Sequence, residues 1–248
     1  MSSSPYWPLI SLWAQFLFFY SRIFGARNVS DMRSAWWKVL TVIILIYVAV
    51  ASLLMEAPRL NILNETVRVL HYHVPMWFGM LILFLVSVVY SIRYLRSGKR
   101  KDDMMAVEFA NVAIVLGILG ILTGMVWAQF TWGDWWSGDP KQNAAAIGLM
   151  IYLAYFVLRG SFENEEQRGR ISAVYNIFAF AALIPLLFIL PRLTDSLHPG
   201  NGGNPGFNAY DLDNRLRMVF YPAVIGWSLL GVWIATLRYR LRKIEFVL

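Results

Sequence analysis

Three histidines and a cluster of tryptophans are the residues in this chain whose types and spacing could do chemistry. His71 and His73 stand one residue apart, and His198 lies far downstream. Trp127, Trp132, Trp135 and Trp136 fall within ten residues, the last three interleaved with Gly133, Gly138, Asp134, Asp139 and Pro140 in the stretch QFTWGDWWSGDPK. A lone histidine in a loop is usually a polar surface residue, and scattered tryptophans usually mark the membrane interface. Four indoles packed into one short segment form something closer to a platform than to a belt. Neutral imidazoles are ligands for a metal, and indole faces cover a broad apolar disc. A haem combines both demands, because it is a flat apolar ring whose iron takes one axial ligand on each face. Its two carboxylates need cations, and Arg68 and Lys141 are the nearest in sequence to the histidines and the Trp stretch.

The elements that must position these residues are membrane spans. Of 248 residues, 58% are hydrophobic and only 15% are charged, against roughly 25% charged in soluble domains. Apolar runs long enough to cross a bilayer recur along the chain, and six spans are expected at about 37–56, 74–97, 107–128, 142–158, 171–191 and 217–237. Only Arg59, Arg68, Lys141, Arg192, Arg215 and Arg217 then fall on the side of the histidines; the other Lys and Arg fall opposite. This bias places both termini in the cytoplasm and the histidines outside. The net charge of +7 is therefore orientation rather than a nucleic-acid surface. Residues 5–20, aromatic and uncharged, are expected as a helix lying in the cytoplasmic interface, with no cleaved signal peptide. The expected architecture is an all-α integral membrane protein, a six-helix bundle. Its parts are an N-terminal segment 1–36, a membrane domain 37–237 with the Trp loop at about 127–141, and a basic tail 238–248.

Other chemistries are disfavoured. The chain has no cysteine, so it carries no disulfide and no thioether-linked haem. It lacks a G-x-x-x-x-G-K-[ST] phosphate loop. No ionisable residue falls near the middle of a span, where ion-coupled pumps keep theirs; Glu108 sits at the cytoplasmic edge of the third. Gly120 and Gly124 form G-x-x-x-G, which close helix packing explains without any further role.

TWGDWWSGDPK closely resembles the tryptophan-rich WWD signature of the haem-handling proteins of cytochrome c maturation, and His73-Val74-Pro75 with Trp77 resembles their HVP segment. Six spans, with the Trp loop between the third and fourth, resemble the CcmC family within the group that also holds CcmF and CcsA. The resemblance implies that His73 and His198 are axial ligands of haem iron. It implies that Trp127, Trp132, Trp135, Trp136 and Asp139 form the haem platform and that Arg68 and Lys141 face the propionates. His71 lacks the His-Val-Pro context and ranks below His73. Gly138 stands where the family commonly has a further Trp. By the same resemblance the chain is a carrier rather than an enzyme. It would hold haem b non-covalently at the periplasmic face of a bacterial or organellar inner membrane and pass it to a CcmE-type chaperone. Its other expected partners are CcmA/CcmB-like transporter subunits and a small membrane subunit. The alternatives are a CcsA-type haem–cytochrome c synthase and a scaffold that binds no haem. A two-haem cytochrome b would need four histidines within the bilayer, more than the chain has.

Overall fold

The computed structural model describes residues 35–58, 63–198 and 212–245. The expected interfacial helix at 5–20 lies outside the described residues, as does nearly all of the segment 1–36. The chain divides into two compact units, Met1–Leu40 and Thr41–Leu248, and the contacts and cavities described below all lie in the second.

Among the described residues, six helices are long and apolar enough to cross a membrane: α1 (Trp36–Leu54), α2 (Asn64–Ser97), α3 (Arg100–Trp132), α4 (Pro140–Gly160), α5 (Glu165–Leu193) and α6 (Asn214–Glu245). They match the six expected spans, but most run beyond the apolar windows into polar sequence. Local chemistry explains where they start. Asp102 and Asp103 occupy the first turn of α3, where the helix dipole favours negative charge. Asp139 caps α4, accepting from the amides of Lys141 and Gln142, and Pro140 follows at the first helical position. Asn164 caps α5 through the Gln167 amide. The expected basic tail continues α6 as helix to Glu245.

Two irregularities bear on function. The start of α2 is a 3-10 turn, Asn64–Val69, which passes into α-helix at Leu70. His71 and His73 therefore lie within the helix rather than in the loop before it. Near its far end, α5 widens into a π turn over Pro185–Ile189, a local irregularity often found at functional sites.

The core is centred on α2, which packs on α3 most extensively and also on α6 and α5. Met80, Leu83 and Phe84 are completely buried, and Phe84 stacks on Tyr152 of α4 at 3.4 Å between ring centres. Outward-facing positions such as Val115, Leu122, Val157, Phe178 and Ile225 are exposed and apolar. A bundle that is apolar inside and outside is built for lipid. At the end opposite the histidines, ion pairs tie the helices together. Glu108 is buried and receives Arg238 and Arg242 of α6, each at 2.7 Å. Asp103 and Arg159 form a two-pronged pair at 2.6 and 2.8 Å.

Candidate functional site

His73 is set by α3. Its Nδ1 lies 3.1 Å from the Thr123 hydroxyl, which in turn lies 2.8 Å from the Leu119 carbonyl and 3.1 Å from that of Gly120. The hydroxyl has a single proton. With that proton donated to the backbone, Thr123 must accept from His73 Nδ1–H, which leaves the lone pair on Nε2. The ring also needs room. A Cβ on Gly124 would stand 2.6 Å from His73 Cε1, and one on Gly120 would stand 2.8 Å from the Trp77 ring. The G-x-x-x-G pair therefore makes space for these two side chains, a role its packing motif alone did not reveal. Trp77 and Trp127 stand edge-on to the imidazole, at 6.4 and 5.9 Å between ring centres.

His198 comes from the segment after α5 and is set by Asp139. The Asp139 carboxylate accepts from Ser196 Oγ at 2.8 Å, from the Leu197 amide at 2.7 Å and from His198 Nδ1 at 2.9 Å. It accepts also from the amides of Lys141 and Gln142 as the α4 cap. Burial alone would raise its pKa. The hydrogen bonds from His198, Leu197 and Ser196 outweigh burial and hold the carboxyl well below the usual carboxylate range. An ionised acceptor keeps the proton of His198 on Nδ1 and again leaves Nε2 as the ligand atom. Trp132 meets the His198 ring edge-on at 4.8 Å.

Both histidines line one cavity of about 380 Å³, within the usual range for small-molecule sites of roughly 300–1,000 Å³. Trp77, Trp127 and Trp136 supply indoles to its wall, and Leu187, Phe188 and Pro191 come from the π turn and the residues after it. Lys141 and Arg192 bring positive charge. Trp127 Nε1 is buried with no hydrogen-bond partner among the described residues. Among those residues no group of three or more His, Cys, Asp and Glu gathers as a metal cluster. Two imidazoles suit an iron whose equatorial ligands come from a porphyrin better than a bare ion needing three or four protein donors.

The Trp loop is a short bridge between α3 and α4. Gly133 and Gly138 adopt left-handed backbone, with φ of +89° and +74°, and bracket the turn. A Trp at 138 would be strained in that conformation. The turn is fastened to α4: Ser137 bonds Gln142 Oε1 through both amide and hydroxyl, and Trp136 Nε1 donates to Asn143 Oδ1 at 3.1 Å. Trp135 is 53% exposed on the outside of the loop.

The expected site residues thus separate by position. His73, His198, Trp127, Trp136 and Lys141 share the cavity wall. Trp132 and Asp139 stand behind His198. Trp127 and Trp132 belong to α3 rather than to a loop. Arg68 lies away from the cavity wall. Its guanidinium is held by Glu65 at 2.6 Å and by the carbonyls of Ser52 at 2.5 Å and Met55 at 2.9 Å, where it closes the end of α1. His71 is completely buried on another face of α2, with Nδ1 3.1 Å from Ser52 Oγ, and does not line the cavity. Thr123, Ser196, Gln142, Asn143 and the cavity placement of Arg192 escaped the sequence reading. Only Arg192 carried a signal, as one of the few cations on the histidine side.

A family model described as Heme exporter protein C matches residues 20–245. Heme exporter protein C of Paracoccus denitrificans is 28% identical over 137 residues, 55% of this chain and 57% of that protein. Its counterpart from Rhodobacter capsulatus is 24% identical over 185 residues, 71% of this chain and 73% of that one. Cytochrome c biogenesis protein CcsA of Pelargonium hortorum is 32% identical over 118 residues, which covers 47% of this chain and 36% of CcsA. The match with the Paracoccus protein thus spans a little over half of that relative's length.

Proposed function

The chain belongs to the family described as Heme exporter protein C, and from that premise we propose that it holds haem non-covalently between His73 and His198 and hands it to a CcmE-type chaperone. One observation carries this reading: two histidines from distant parts of the chain line a single indole-walled cavity, each with Nδ1 engaged by a neighbouring side chain, which leaves Nε2 as the atom to ligate iron. The lack of cysteine restricts the attachment to coordination and packing. The indoles of Trp77, Trp127 and Trp136 cover apolar surface, while Lys141, Arg192 and the unpartnered Trp127 N–H suit carboxylates. In the orientation expected from the charge bias, the cavity faces the periplasm.

The two ligands are held unequally. His73 is wedged between two packed helices, whereas His198 hangs from one carboxylate through a short segment. Release therefore begins at His198, by opening of the Asp139 hydrogen bonds, while His73 keeps its place. The exposed Trp135 and Asp134 present the loop to an acceptor. Transporter subunits and a small membrane subunit complete the proposed assembly.

Transfer tests the reading. Haem-loaded protein in detergent is mixed with the apo, soluble domain of a CcmE-type chaperone, the two are separated, and the visible spectrum of each is taken. Haem is expected to move to the chaperone. A wild-type protein that never takes up haem, even when haem is supplied during expression, would overturn the proposal in favour of a scaffold. The likeness to CcsA favours one second reading, haem attachment to cytochrome c. Covalent haem on an added C-x-x-C-H peptide would support it over simple transfer.

A further inference from the structure

The cavity that holds the two histidines reaches well below them. Along α2 its lining runs from His73 to Leu81, about 12 Å at 1.5 Å per residue, against a hydrocarbon core of about 30 Å. Its polar lining, Lys141, Gln142, Arg192, Ser196 and His198, comes from the outer ends of α4 and α5 and the segment beyond. Farther into the bundle Phe78, Leu81, Ile121 and Leu187 make the wall apolar.

α2 is the central helix of the core, yet Ile82, Leu85 and Val89 are 38%, 49% and 48% exposed. They follow Phe78 at spacings of four, three and four residues, so they continue one face of the helix. The face of α2 that lines the cavity through Phe78 therefore meets lipid directly below it. α5 packs on α2 and α4, α6 packs on α2 and α3, and among the described residues no comparable packing joins α5 to α6. Between them lies a slot floored by Phe78. Phe220 of α6 stands edge-on to that ring on one side, at 6.2 Å between ring centres. On the other side stands Phe188 of the π turn, which lines the cavity and is still 42% exposed.

A haem has an apolar body with both carboxylates on one edge. In a bilayer the body lies among acyl chains, while the carboxylates stay at the headgroup level, where they keep their water. The cavity repeats that division, apolar within and cationic at its outer end. Haem moving sideways from lipid into the cavity keeps its carboxylates at one depth and never brings its apolar faces into water.

We propose, resting on the haem-holding reading of this cavity, that haem reaches His73 and His198 sideways from the leaflet on their side of the bilayer, through the slot between α5 and α6. The chain has no cysteine, so a single introduced thiol is labelled alone. Ile82→Cys and Ile184→Cys place it beside the slot, one turn from Phe78 and from Phe188, at exposed positions that do not line the cavity. Val115→Cys and Val157→Cys place it on lipid-facing positions of α3 and α4. Each full chain is labelled with pyrene maleimide and reconstituted into phosphatidylcholine vesicles, to which haemin is added. Growth of the ligated Soret band gives the rate of uptake, and a haemin titration gives the affinity; thermal unfolding checks that each variant folds. A bulky group at the slot should slow uptake roughly tenfold or more, an added barrier of about 1.4 kcal/mol. It should leave the affinity unchanged, because an obstructed passage slows entry and exit alike. The labelled controls should load as the wild type does. Uptake at the wild-type rate by both labelled slot proteins would overturn the slot, as would equal slowing in the controls. An affinity that falls in step with the rate would overturn it too, by placing these positions in the holding site. A wild type that takes up no haem would refute the haem-holding reading and the slot with it, an outcome distinct from normal equilibrium binding with unhindered entry.

Discussion

Replacing Gly124 with alanine should damage ligand binding rather than the fold. A Cβ there would stand 2.6 Å from Cε1, 3.3 Å from Nδ1 and 3.4 Å from Nε2 of His73. Ordinary contact begins near 3.4 Å, so the imidazole must retreat by about 0.8 Å. Retreat from α3 also draws Nδ1 away from Thr123, now 3.1 Å distant, and takes that hydrogen bond beyond useful length. Metal ligands must be held within roughly 0.5 Å of productive geometry, and the loss of a supporting hydrogen bond typically costs 10–100-fold in metal affinity. The variant should therefore bind haem about 10–100-fold more weakly, and overpacking should cost about 1–3 kcal/mol of stability. Titration of haemin into apo protein, read at the Soret band, gives the first number, and thermal unfolding gives the second. Gly117→Ala supplies the comparison. Its Cβ would meet Leu149 Cδ2 at 2.5 Å and Met80 Sδ at 2.7 Å, both far ends of flexible side chains away from the histidines. It should lose stability and keep its haem affinity. If Gly124→Ala binds haem as the wild type does, or Gly117→Ala loses as much, the reasoning is refuted.

Thr123→Val keeps the side-chain shape but removes the acceptor for His73 Nδ1–H; haem affinity should fall about tenfold, measured by the same titration. In Asp139→Asn one carboxylate oxygen becomes an amino group that cannot accept from Ser196 or Leu197, so hydrogen exchange over residues 194–198 should accelerate and haem should dissociate faster. Lys141→Gln and Arg192→Gln should each weaken haem binding severalfold, whereas Arg68→Gln should lower the unfolding temperature with little change in affinity, because its guanidinium binds the end of α1. His71→Ala should destabilise the protein by leaving a buried gap and unpairing Ser52, yet leave the haem spectrum as it was.

The spans were legible because twenty apolar residues in a row admit few other readings, and the charge bias indicates an orientation. His73 was legible through the HVP segment and His198 through its place in the last outward loop, both by resemblance, and the fold brings the two to one cavity wall. The supporting residues were not. Thr123 reads as an ordinary polar residue in an apolar helix, and only the facing of α2 on α3 turns it into the acceptor for His73. Arg68 is close to His73 in sequence, but five helical positions turn its side chain toward α1 and away from the cavity. Asp139 belongs to the WWD signature, which suggests direct contact with a ligand. Its five hydrogen bonds instead make it the joint between the Trp loop, α4 and the His198 segment. Gly138 marks a left-handed turn, a backbone requirement that a residue pattern does not display.

The most direct test of axial ligation by His73 and His198 is the visible absorption spectrum of the haem-loaded protein, oxidised and reduced, beside His73→Ala and His198→Ala with and without added imidazole. A low-spin bis-imidazole spectrum in the wild type, lost in each variant and restored by imidazole, is the predicted result. A variant at either position that keeps the wild-type spectrum without imidazole would contradict the account.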